Sequence, residues 1–162
     1  YARFGDVLEF GHNYLPEFTG SEKGQFSLSY ILPNLYNLLL RPVTLKAGLT
    51  LECPLFDGFM FYIANPMFLI WFAAVAKDVC EKKLDGVRLC IVIAILAELL
   101  LLCAHKTLGG WQFGARYTVD MLPMALMYLL LKKDEPGGIS AFIMAAGMMF
   151  NLYGALAMTM LH

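Results

Sequence analysis

The sequence predicts an all-α membrane protein: a polytopic helix bundle of about four transmembrane helices, preceded by an external loop that carries an interfacial helix. Three observations predict it. Apolar residues make up 59% of the 162-residue chain and charged residues 15%, against about 45–50% and about 25% in soluble domains, and mean hydropathy is +0.63. Four apolar stretches, 59–76, 87–104, 117–131 and 139–161, approach or exceed the about 20 residues that cross a bilayer. Basic residues gather in two of the short connections between them.

The first 58 residues differ in texture from the rest. "YARFGDVLEFGHNYLPEFTGSEKG" mixes glycines, aromatics and carboxylates and reads as an ordered external loop. Within it Asp6, Glu9 and Glu17 cluster with Arg3, which suits a solvated, locally paired loop better than a sugar or cation site. "FSLSYILPNLYNLLLRP", residues 26–42, is apolar and helix-compatible but short, and Pro33 is expected to interrupt it. It should stop at Arg41-Pro42, because a residue before proline disfavours the α region. An interfacial helix over about 26–41 follows, with Tyr30 and Tyr36 at headgroup level. The chain opens at Tyr1 without a signal-peptide pattern and reads as a fragment of a larger protein.

The connections assign the sides. Lys77, Lys82, Lys83 and Arg88 lie between the first two spans, and Lys132 and Lys133 between the last two, half of the twelve Lys and Arg. Basic residues near membrane ends resist translocation, so 77–88 and 132–138 are expected to be cytoplasmic. Residues 1–58 and 105–116 then face outward. The net charge of −1 gives no reason to expect nucleic acid. Cys53, Cys80, Cys90 and Cys103 show no CxxC or Cys/His spacing, and His12, His105 and His162 no ligand-like spacing. No metal is implied, and the lone thiols read as small apolar residues.

The chemistry-bearing cluster is "GWQFGARYTVD", residues 110–120. Arg116 stands where the third span begins. A helix N-terminus stabilises anions, and Gly109, Gly110 and Gly114 allow close backbone approach. Lys106 and His105 add cationic capacity, so a phosphate could seat there. The competing reading is an i,i+4 pair of Arg116 with Asp120 that only anchors the helix, with Trp111 and Tyr117 as ordinary belt aromatics. Glu98 lies roughly 15 Å into the second span at 1.5 Å per residue. A carboxylate there faces a cavity or the bundle interior, as a cavity wall or as a tether between helices. Asn65-Pro66 and Asn151 suit a kink and interhelical hydrogen bonds, and Ala141, Ala145 and Gly147 a close helix contact. Lys132, read as a loop residue, is expected to tolerate replacement by alanine.

"YARFGDVLEFGHNYLPEF", "FSLSYILPNLYNLLLRP" and "GGWQFGARYTVDMLPMAL" together resemble the C-terminal half of bacterial GT-C polytopic glycosyltransferases. These are related to protein mannosyltransferases and lipid A aminoarabinose transferases. The matching positions are Tyr1, Arg3, Phe4 and Gly5, then Trp111, Phe113, Gly114, Arg116 and Tyr117, and then Asp120, Leu122 and Pro123. The resemblance implies transfer of a sugar from a polyprenyl-phosphate donor to an acceptor on the outer membrane face, with no dedicated cofactor. It places the catalytic carboxylate in an earlier external loop, outside this chain, so the chain alone is expected to be inactive and to need an N-terminal half. Arg116, Lys106 and Arg3 would hold the lipid phosphate, with Trp111, Tyr117, Asp120 and Glu98 around it. The alternative class is a transporter, flippase or structural subunit with a polar path along Glu98, Asn65-Pro66 and Asn151.

Overall fold

A computed structural model of the chain describes residues 22–46, 50–132 and 137–160. Arg3 and the acidic cluster around it lie outside the described residues, as do Lys133 and His162. Six α-helices are described: α1 (Ile31–Leu39), α2 (Phe61–Ala64), α3 (Met67–Cys80), α4 (Gly86–Ala104), α5 (Leu122–Lys132) and α6 (Gly138–Met160). 3₁₀ turns at Leu28–Tyr30 and Arg116–Met121 run directly into α1 and α5.

The protein is mostly helical, but not wholly so. Strands β1 (Thr44–Lys46) and β2 (Thr50–Glu52) pair antiparallel, with Leu45 opposite Leu51. Thr-Leu-Lys and Thr-Leu-Glu alternate with a period of two, the strand signal, in a stretch that the sequence reading left as plain loop. Pro33 does not interrupt α1. It sits in the first turn of α1, where a missing N–H costs little. The helix stops at Leu39 as expected, and the N–H groups of Leu40 and Arg41 both donate to the Tyr36 carbonyl at 2.8 and 2.9 Å.

Two helices, α4 and α6, are long and apolar enough to cross a membrane. Only 17% of the apolar window of α4 and 11% of that of α6 is buried inside the protein. A soluble core helix of this composition would be mostly covered, so the two helices are consistent with a membrane protein. Asp85 caps α4, its side chain accepting from the Arg88 N–H at 2.9 Å. The other two expected spans are not single helices of crossing length. Pro66 separates α2 from α3, and the 117–131 stretch begins as a 3₁₀ turn rather than an α-helix.

The core gathers where α4 and α3 pack against α5, around Phe61, Phe68, Trp71, Ile95, Ala125 and Tyr128. Phe68 sets its ring edge-on to Phe61 at 4.8 Å between centroids. Residues 22–58 and the 105–116 loop are stitched together at one end of the bundle. Ser27 donates to Ala104 (2.9 Å), Lys106 to Gln25 (2.8 Å) and Gln112 to Leu55 (2.8 Å), all through backbone groups. The connection between α3 and α4 lies at the opposite end, where Asp78, Arg88 and Lys132 meet.

Backbone left unpaired by these irregularities is closed by asparagine amides. Asn34, on α1, donates to the carbonyls of Cys103 (2.9 Å) and His105 (2.8 Å), which end α4 without helical partners. Asn151, on α6, donates to Ala64 (2.6 Å) at the proline break and to Gly147 (2.9 Å) on its own helix. Close approach there depends on Gly147, because a Cβ at that position would collide with the Pro66 ring. The packing role expected of Asn65-Pro66, Asn151 and Gly147 is therefore what the fold uses.

Candidate functional site: an arginine on a glycine-strained loop

The 109–116 loop is shaped by three glycines with positive φ: Gly109 at 119°, Gly110 at 69° and Gly114 at 80°. Two of them are also sterically required. A Cβ on Gly109 would lie 2.9 Å from the Tyr117 ring, and one on Gly114 would collide with the Ala64 side chain. Phe113 anchors the loop to the bundle, its ring 5.2 Å from Phe59 and 5.0 Å from Phe150, and it occupies the space that only glycine leaves at position 154.

Arg116 and Tyr117 emerge from this loop together, both exposed. The guanidinium lies over the Tyr117 ring, 5.1 Å from its centroid. It makes two long contacts of 3.4 Å, to the Gly109 carbonyl and the Tyr117 hydroxyl. No ion pair joins Arg116 to Asp120 among the described residues, so the expected anchor is absent. The reason is local geometry: Arg116–Met121 is a 3₁₀ turn, where side chains align at i and i+3 rather than at i and i+4. Val119, not Asp120, falls in line with the arginine.

The helix terminus behaves differently from expectation as well. The Arg116 N–H is already taken by the Gln112 side chain at 2.7 Å, and the Thr118 N–H donates to the Ala115 carbonyl at 3.0 Å. Any anion here is met by the guanidinium and not by the helix N-terminus. Lys106 contributes its backbone to the Gln25 contact, and the His105 ring packs edge-on to Phe26 at 5.0 Å while its Nδ1 lies 2.8 Å from the Thr107 carbonyl. Trp111 is 63% exposed, and its backbone bridges to that of Phe56. Glu98 has no side-chain hydrogen bond or ion pair among the described residues. It lies within electrostatic reach of Asp120, where α4 packs on the 3₁₀ turn.

Two features were missed in the sequence. Gln112 is almost fully buried, 4% exposed; its amide donates to the Leu108 carbonyl at 2.8 Å while accepting from Arg116. Its setting between Trp111 and Phe113 hides it, since nothing in residue type distinguishes a loop-bracing glutamine from a solvated one. The second is a charged clamp at the opposite end of the bundle. Asp78, 2% exposed, accepts from Arg88 Nη1 (2.7 Å), Tyr128 Oη (2.8 Å) and Lys132 Nζ (2.5 Å). Burial alone would raise the Asp78 carboxyl. The hydrogen bonds from Lys132 and Tyr128, with the charges of Lys132 and Arg88, outweigh it and hold the group below its ordinary value. Lys132 is therefore no loop residue and no neutral control; it is a half-buried cation joining α5 to α3. An opposite-charge pair 54 residues apart leaves no local spacing to read.

A cavity of 310 Å³ opens at the proline break, bounded by Asn65, Pro66, Met67, Leu122, Met144 and Met148. The four cysteines are unpaired, and no group of three metal-ligating side chains occurs among the described residues. Comparison of the chain with protein-family models, with curated proteins and with solved structures found no match.

Proposed function

We propose that the chain is the C-terminal membrane part of a glycosyltransferase that moves a sugar from a polyprenyl-phosphate carrier to an acceptor on the outer membrane face. The observation that carries the proposal is an exposed guanidinium with no carboxylate partner among the described residues, at the end of the bundle away from Asp78 and Lys132. Its present contacts are long and weak, so a lipid phosphate can replace them with short charge-assisted bonds at little cost. Stabilising the phosphate as it departs from the sugar is a direct route to rate acceleration. The catalytic carboxylate belongs to another part of the protein.

The same reading makes the chain multi-pass. The 3₁₀ turn and α5 together span roughly 28 Å, at 2.0 and 1.5 Å per residue, close to the about 30 Å hydrocarbon core. The α2–α3 pair covers a similar length. Sidedness is tested by labelling intact cells with a membrane-impermeant maleimide: Cys53 should react from outside and Cys80 only after lysis. Reaction of Cys80 in intact cells reverses the orientation.

Arg116→Ala in the whole protein should abolish transfer at normal expression, while Lys77→Ala on the exposed inner surface leaves it intact. Because no pair links Arg116 to Asp120, the Arg116→Asp, Asp120→Arg double variant should stay inactive. Recovery in the double variant would restore the anchor reading. The cavity at the proline break favours a second reading, a transporter; in that case Arg116→Ala leaves the activity unchanged.

A further inference from the structure

We infer that Gln112 is the positioning residue for Arg116, an inference that rests on the phosphate reading of that arginine. The argument is geometric. Arg116 is exposed on a loop whose glycines supply no side-chain packing, so something else must fix its backbone. Gln112 does so with both ends of one amide: Nε2 donates to Leu108 and Oε1 accepts from the Arg116 N–H. The amide is buried and lies beside two glycines: a Cβ on Gly109 would come within 3.2 Å of Oε1, and one on Gly58 within 3.4 Å of Nε2. The bridge closes the loop from Leu108 to Arg116 into a ring and sets the direction in which the arginine leaves it. With the backbone N–H held inward, the guanidinium is the group left to face a ligand. Preorganisation of this kind lowers the ordering cost of binding.

Each neighbour of the amide fixes a requirement. Asparagine is one methylene too short to reach both partners. Glutamate can still accept from Arg116, but its carboxylate faces the Leu108 carbonyl without a proton to give. Protonated glutamic acid has that proton. The acid form should therefore restore what the anion loses.

The test uses the whole membrane protein and two readouts. The first is binding to phosphatidylcholine vesicles doped with a polyprenyl phosphate. The second is the rate at which phenylglyoxal modifies Arg116 in lipid-phosphate-free protein, followed by peptide mass. Gln112→Ala should weaken binding about tenfold, the equivalent of one hydrogen bond, should change the Arg116 modification rate, and should lower the melting temperature because the Leu108 carbonyl and the Arg116 N–H both lose their partner. Gln112→Glu should bind weakly at neutral pH and regain affinity as the pH falls through the carboxyl range, which covers the case where the alanine variant does not fold. If Arg116→Ala loses binding but both Gln112 variants bind like the parent at all pH, the positioning role is overturned and the phosphate reading stands. If Arg116→Ala binds like the parent, the phosphate reading falls. The modification rate then decides alone whether Gln112 orients the arginine: an unchanged rate overturns that too.

Discussion

Lys132 closes on the buried carboxylate of Asp78 at 2.5 Å, joining the ends of α5 and α3 where Arg88 of α4 and Tyr128 also converge. Three helices thus meet at one anion. Removing the anion leaves two half-buried cations without their buried partner, and breaking a buried pair costs about 3–5 kcal/mol. Asp78→Ala should therefore destabilise the protein by about that much, whereas Lys132→Ala, which leaves Arg88 and Tyr128 in place, should cost less. Thermal denaturation of the two variants in the same detergent gives the order directly.

The same clamp sets an acid limit. The Asp78 carboxyl is held below its ordinary value, so its contribution is complete above the unfolded value of about 3.9. The contribution is lost as the pH falls through the lower, folded value. Stability from this end of the bundle should be flat from neutrality down to the ordinary carboxylate range and drop only beyond it. Trp71, whose ring stands edge-on to Tyr128 at 6.3 Å, reports the event by fluorescence in a Trp111→Phe background. A transition near neutral pH would contradict the assignment.

Asn34 predicts a sign as well as a size. Asn34→Ala abandons the Cys103 and His105 carbonyls at about 1–3 kcal/mol for a stranded buried group. Asn34→Asp should be worse at neutral pH, because it sets an anion against two carbonyl oxygens instead of merely removing the donor. Comparison of the two melting temperatures decides it.

Gly114 carries both strain and contact, with a φ of 80° and no room for a Cβ beside Ala64. Gly114→Ala should cost about 1–3 kcal/mol from the backbone conformation alone, and Ala64→Gly should recover only the steric part. Full recovery in the double variant would mean that the positive φ is not needed.

The parts of the fold visible in the sequence were those written as periodicity or punctuation. Apolar runs gave α4 and α6, and Arg41-Pro42 marked the end of α1 to within two residues of Leu39. The proline at position 66 announced a break, but whether it would bend a span or divide it depended on Asn151, 87 residues away in sequence from the carbonyl it satisfies. The Arg116–Asp120 pair failed for a similar reason. Its spacing assumes an α-helix, and the sequence does not reveal that the segment is wound as 3₁₀. Asp78 looked like one more charge in a lysine-rich loop because its partners come from other helices. Local pattern specified elements; the burial that turns a side chain into a clamp or a brace exists only after they pack.

The division of labour between the two ends of the bundle has a practical consequence. One end is closed by opposite charges around Asp78 and the other by neutral amides at Asn34, Gln112 and Asn151. Strong acid should therefore unfasten the bundle from the lysine side first, like a book opened from its lower edge, while the arginine-bearing loop keeps its shape.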